Sequence, residues 1–267
     1  MKIIKYFIES LFIIFLLIVF KILGLKLSSN LGSIICGLLG PFFRPKNKII
    51  SNIKKAFPDT EQKDLEIIIK KMWKNYGRIL AEYMFIKNFR NSENENFVSV
   101  EGQEILNDIK NIREPVIFIS GHFNNFELMA MQIEKSGINL AAIYRPLNNV
   151  FLNKIMEKIR KKYICQNQIK KGRSGTRELL ESFKKNYSIA LMIDQRVSEG
   201  IKSDFFGQQA FTTTIPAQLV KKFGCKIVPV YIERIKGTFF KIKINKPITY
   251  NKDSSIEEIT LDLNKWL

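Results

Sequence analysis

Histidine and cysteine are both scarce in this chain. It holds a single histidine, His122, and three cysteines, Cys36, Cys165 and Cys225, in 267 residues. The cysteines are odd in number, widely spaced and form no C-x-x-C. That argues against a disulfide framework and against a zinc site, and it fits a reducing compartment. G-x-S-x-G, the P-loop, the Rossmann glycine fingerprint and H-E-x-x-H are all missing. A covalent serine or cysteine mechanism is therefore not indicated. There is no internal repeat, low-complexity linker or second-domain boundary. Negative charge is scarce too: 25 Asp+Glu stand against 43 Lys+Arg, a net charge of +18. Such an excess calls for a negative partner or surface. Nucleic acid, anionic lipid and an acidic carrier protein all qualify, but no nucleic-acid motif is visible.

What is plentiful is apolar. Hydrophobic residues make up 46% of the chain, enough for one sizeable core. "YFIESLFIIFLLIVFKILGL", Tyr6 to Leu25, carries two charges, Glu9 and Lys21, near its ends. As a helix at about 1.5 Å per residue it is roughly 30 Å long, one hydrocarbon core. Long charged side chains near the ends can reach the interface. "KILGLKLSSN" makes a poor signal-peptidase site, so a retained anchor over 1–27 is expected, with the main domain at 28–267. Lys2 and Lys5 precede the segment, whereas Lys21, Lys26, Arg44, Lys46, Lys48, Lys54 and Lys55 follow it. The positive-inside bias places the body in the cytoplasm. "LGSIICGLLGPFF", Leu31 to Phe43, is too short to span; it either lies in the interface or packs on the domain.

After this the chain predicts an amphipathic helix over "FPDTEQKDLEIIIKKMWKNYGRILAEYMFI", N-capped by Asp59 with Gln62 three residues on. Leu65, Ile68, Met72, Tyr76, Ile79 and Tyr83 would form its buried face. From residue 97 strand and helix patterns alternate. Strands are expected at 115–120, 140–145, 188–194, 226–235 and 239–245, the last two joined by a Lys236-Gly237 turn. Helices are expected at about 125–135, 149–162, 176–185 and 213–224, the last with Pro at its start and Gly at its end. This is an α/β pattern, a sheet covered by helices, in which sites form at the carboxyl ends of strands.

His122 falls at such an end, in "ISGHFNNFE", with Glu127 five residues later. On one continuous helix, positions i and i+5 are about 140° apart and cannot meet. With His122 in the turn, eased by Gly121, and Glu127 in the first helical turn, the carboxylate can fold back to the ring. It would then fix the imidazole tautomer and leave the other nitrogen as a base for a hydroxyl. The alternative is a turn-capping His beside a surface Glu.

Four blocks carry a resemblance. "GHFNNFE" resembles the H-x4-D/E block of membrane acyltransferases, in the form found in the late acyltransferases of lipid A biosynthesis (the lauroyl/myristoyl type). "NIKKAFPD" at 52–59, "IYRPLNN" at 143–149 and the run "LMIDQRVSEGIKSDFFGQQAFTTTIPAQLVKKFGCKIVPV" at 191–230 resemble that family's other blocks, in order. Phe126 stands where the family usually has Trp, and Asn149 where it tends to have Pro. A tail of the form P-x-x-W-x-W-x-H-x-R is not in this sequence.

The resemblance implies a central mixed sheet flanked by helices, of the glycerolipid-acyltransferase kind, behind an N-terminal anchor at the inner membrane. It implies His122 as general base with Glu127 as its partner. Asn125, Arg145, Arg173, Asp194, Gln195 and Glu199 would contact substrate, and Phe205, Phe206 and Gly207 would line a lipid surface. The reaction moves an acyl chain from an acyl-carrier-protein thioester to a hydroxyl of a Kdo-bearing lipid A precursor. It requires no metal or prosthetic group. The alternatives are an acyltransferase for a glycerophospholipid or another membrane glycolipid, and a basic membrane-tethered binding protein without chemistry. Glycerol-phosphate enzymes more often carry Asp at the Glu127 position and an E-G-T-R-like block, which "SEGIK" half matches.

Overall fold

A computed structural model describes residues 2–91 and 96–267. Four helices come first: α1 (Lys2–Leu23), α2 (Leu25–Leu39), α3 (Lys46–Ala56) and α4 (Gln62–Glu82), followed by the short α5 (Ile86–Asn91). The α/β body then runs β1 (Val98–Glu101), α6 (Gln103–Ile112), β2 (Ile117–Ser120), α7 (Glu127–Lys135), β3 (Leu140–Tyr144), α8 (Val150–Tyr163), β4 (Asn167–Lys170), α9 (Arg173–Lys184) and β5 (Ser188–Met192). A hairpin, β6 (Ile201–Phe205) and β7 (Gln208–Thr212), leads to α10 (Ile215–Phe223), β8 (Ile227–Lys236), β9 (Phe239–Ile244) and α11 (Ile256–Trp266).

The main sheet has the order β1-β9-β8-β2-β5-β3-β4. All its pairs are parallel except β8 with β9, so the sheet is mixed, as expected. Its central strands alternate between two covered faces. Phe118, Leu140, Ala142, Val228 and Val230 pack with α1, α2 and α5–α7. Ile117, Ile119, Ala141, Ile189 and Ile227 pack with α9, α10 and α11. Burial on both sides explains why these strands read as unbroken apolar runs. Pro216 at the start of α10 and the left-handed Gly224 (φ 65°) at its end bound that helix as predicted.

Three local expectations are corrected. Asp59 does not cap α4: the helix begins at Gln62 behind Glu61, and no side chain caps it. Its buried face is the expected one only in part: Leu65 and Tyr83 are buried and Met72 and Ile79 half-buried, but the face is turned. Leu65, Ile69, Gly77 and Ala81 are buried, while Ile68 and Tyr76 stay 39% and 54% exposed. The reason is α2. A Cβ on Gly77 would lie 1.9 Å from the carbonyl oxygen of Gly32, so the two helices meet backbone to backbone through glycines. A pattern of large apolar residues cannot show such a contact. Lastly, the turn after β2 places Asn124, not Gly121, in the left-handed region (φ 41°), a conformation asparagine tolerates. Gly121 instead supplies space, since a Cβ there would come within 3.0 Å of Leu267 Cδ1.

Helix α1 is long and apolar enough to cross a membrane, with a mean hydropathy of 2.5. The stretch 31–43 packs by one side: α2 buries Ser28, Ser29, Gly32 and Ser33, and leaves Ile34 and Leu38 56% and 69% exposed.

Candidate active site

Strands β2 and β5 are neighbours, so their carboxyl ends deliver His122 and Asp194 side by side across 72 residues of sequence. The contact is double. Asp194 Oδ1 lies 2.7 Å from His122 Nδ1, and the backbone N–H of His122 donates to Oδ2 at 2.9 Å. An acceptor-only carboxylate on Nδ1 selects the tautomer with the proton there and leaves Nε2 with its lone pair. Gln195 Nε2 sits 3.4 Å from that second nitrogen. The Phe126 ring meets the imidazole edge-on at 4.7 Å and limits its swing.

Burial desolvates the Asp194 carboxyl and pushes its pKa up. The hydrogen bonds from the His122 side chain and backbone and the His122 charge outweigh this, and hold it below its usual range. A depressed carboxylate stabilises the fold above its unfolded-state pKa, and that contribution disappears as pH falls through the lowered folded value. Asp194→Asn should therefore unfold more easily than wild type at neutral pH, with the gap closing in acid, as denaturant titrations at several pH values would show. The same substitution should lower kcat by roughly 10²–10⁴-fold, because the imidazole loses its fixed tautomer.

Glu127 does not meet the imidazole as expected. It is the first residue of α7, 8% exposed, and its Oε1 takes hydrogen bonds from Arg160 Nε (2.9 Å) and Nη2 on α8. The physical reason is charge. Glu127 and Arg160 are both nearly buried, and each requires the other's neutralisation. Burial works against the Arg160 guanidinium, but the Glu127 charge overcomes it and holds its pKa above the usual value. Tyr83, buried nearby, is pushed up by desolvation first and by the Glu127 charge second.

Asn125 was expected to contact substrate, but its side chain turns inward. It is fully buried and donates from Nδ2 to Glu82 Oε2 at 3.0 Å. Glu82 is itself 0% exposed and also accepts from Ser29 Oγ (2.7 Å) and Arg234 (2.5 and 3.1 Å). This charge-assisted cluster ties the turn after β2 to α2, α4 and β8, so Asn125 positions the loop that carries His122. Nothing in the sequence pattern marks Glu82, Arg160 or Arg234; each sits in a stretch that reads as an ordinary charged helix or strand face.

Two cavities flank the His122–Asp194 pair. One, of about 410 Å³, has His122, Glu127, Arg145 and Arg160 in its wall and runs inward past Phe118, Met129, Ala142 and Ile164. The other, of about 500 Å³, lies beyond Asp194 and Gln195, between Lys55 of α3 and the hairpin residues Phe205 and Phe206. Gln195 lines both. Arg145 is exposed at the end of β3, in the wall of the first cavity. Glu199 is exposed in the segment before β6 and lines neither cavity. The side chain of Arg173, the first residue of α9, lies outside the described residues.

An α/β sheet with a carboxylate-oriented imidazole at the ends of adjacent parallel strands, opening on an apolar cavity, defines a site able to activate a hydroxyl beside a hydrocarbon substrate. The chain belongs to the bacterial lipid A biosynthesis acyltransferase family, whose sequence model matches residues 1–267. It is similar to lipid A biosynthesis acyltransferase 2 of Shigella flexneri, 21% identical over 211 residues, covering 77% of this chain and 66% of that protein. It is also similar to the lipid A biosynthesis myristoyltransferase of Escherichia coli K12, 21% identical over 192 residues, covering 70% of this chain and 58% of that protein. The matches thus span less than two thirds of the length of these relatives.

Proposed function

We propose that this protein transfers a fatty acyl chain from an acyl-carrier-protein thioester to a hydroxyl of a lipid A precursor, at the cytoplasmic face of the inner membrane. The observation that carries the reading is the double contact of His122 with Asp194 at the wall of an apolar cavity. His122 Nε2 takes the proton of the acceptor hydroxyl as its oxygen attacks the thioester carbonyl. The tetrahedral intermediate then collapses with cleavage of the C–S bond, and the imidazolium returns the proton to the departing carrier thiolate. Asp194 stabilises the imidazolium that forms between these steps. Arg160, held by Glu127, keeps a buried Nη1 that no protein group among the described residues occupies, a donor available to charge developing on the carbonyl oxygen.

The apolar cavity suits the acyl chain and Arg145 suits a phosphate of the acceptor. The excess of basic residues suits three anionic partners at once: acidic carrier, phosphorylated glycolipid and membrane surface. No step calls for a metal or an organic cofactor.

The test is direct. Detergent-solubilised protein is mixed with acyl-carrier-protein thioester and a tetra-acylated Kdo-bearing precursor, and acceptor mass is followed. A gain of one acyl chain, absent in Asp194→Asn and His122→Ala, is the expected result. Acylation of a glycerol phosphate or of another glycolipid, with none on the lipid A precursor, would replace the acceptor. Failure of the histidine variant to differ from wild type would remove the mechanism.

A further inference from the structure

Helix α1 is apolar enough to span a bilayer, yet it lies along the body rather than standing away from it. One side of it is covered over most of its length: Tyr6, Ser10, Ile13, Leu16, Leu17 and Phe20 are buried or half-buried, at helical spacing. Leu16 and Leu17 pack on the main core, and Phe20 is 1% exposed within it. Near the other end the Tyr6 carbonyl accepts from Asn149 Nδ2 at 2.8 Å, and the Phe7 ring meets Phe151 edge-on at 5.6 Å. Asn149 also caps α8 through its Oδ1, so one side chain joins the start of α8 to α1. The docked length from Tyr6 to Phe20 is about 21 Å at 1.5 Å per residue. The opposite side is bare hydrocarbon: Leu11, Phe12, Phe15, Ile18 and Ile22 are 52–79% exposed.

A crossing helix with these contacts intact would carry the start of α8 into the hydrocarbon. Arg145 just before it and Lys154 and Lys158 on it would follow, and charged groups are costly there. We infer that α1 lies in the plane of one leaflet, clamped to the body by its inner side, with its outer side sunk in the lipid. An in-plane helix normally needs a polar face towards water; here the body covers that face, which is why the sequence looks apolar all round. Lys2 and Lys5 at one end and Lys21 at the other then reach the same layer of anionic headgroups. The site at His122 thereby sits on the same side of the membrane as both ends of α1. The inference rests on the proposed function only for the presence of a membrane.

The experiment uses the full wild-type chain in spheroplasts and in opened membranes, treated with a membrane-impermeant amine reagent and read by peptide mass spectrometry. Lys2 and Lys5 should react only where the exposed body lysine Lys236 reacts. Reaction of Lys2 and Lys5 in intact spheroplasts with Lys236 protected would overturn the inference, because α1 then crosses. Should all three react in intact spheroplasts, α1 still lies in one leaflet, but the cytoplasmic location in the proposed function is wrong. If headgroups shield both N-terminal lysines, the pair Phe7→Cys and Phe151→Cys decides. Oxidative cross-linking in native membranes holds α1 against α8, and its absence there sinks the idea.

Discussion

His122→Ala should reduce acyl transfer by roughly 10²–10⁴-fold in kcat, with small changes in KM for either substrate. The side chain is 34% exposed and outside both cores, so the melting temperature should fall no further than in Asp194→Asn, which loses the same side-chain contact. Steady-state kinetics beside a thermal melt checks both halves. A variant that is slow only because it is unfolded would contradict this reading. So would one that loses substrate affinity at unchanged kcat. The expectation follows from chemistry that no other residue can replace: this is the only imidazole in the chain, and its Nδ1 is held by a carboxylate kept ionised.

Glu127→Ala should act by a different route. It removes one member of a pair whose side chains are 10% and 9% exposed, and so leaves the Arg160 cation buried without its counter-charge. Breaking such a pair costs about 3–5 kcal/mol. For a domain of this size that is a fall of roughly 6–20 °C in melting temperature. Arg160→Ala should fall by a similar amount. Replacing both by leucine should recover much of the stability, because the desolvation cost of two charges disappears with them. The doubly substituted protein, folded but without the Arg160 donor at the cavity, should remain a poor catalyst. The two acidic substitutions therefore separate cleanly: Asp194→Asn shows mainly in kcat, Glu127→Ala mainly in the melt. Equal melting temperatures for Glu127→Ala and wild type would show that the pair is not the support described here.

The two carboxylates illustrate what a linear sequence can show. Glu127 is close to His122 in the chain and part of the same motif, so motif spacing pairs them. Asp194 is 72 residues away and is adjacent only because β5 lies next to β2. Strand order is a property of the whole sheet: β3 follows β2 in sequence, but β5 takes the place beside it. The same limit hid Glu82, which is buried by Ser29, Asn125 and Arg234 from three separate segments. One missed element was legible. Ser255 and Glu258 form a capping box at the start of α11, and Ser-x-x-Glu is its sequence signature.

By itself the sequence determined the alternation of strands and helices. It also determined the apolar N-terminal helix, the bounds of α10 and the placement of the sole histidine in the turn after a central strand. These are local: periodicity, turn residues and caps act within a few positions of the chain. Only the tertiary structure decided which carboxylate holds the imidazole and which one is occupied by a buried arginine. It also decided which side of α4 faces α2, and that α1 lies against the body. Those outcomes depend on burial and on charges brought together from distant segments. The cost of desolvating a charge is settled by neighbours that the order of residues does not name.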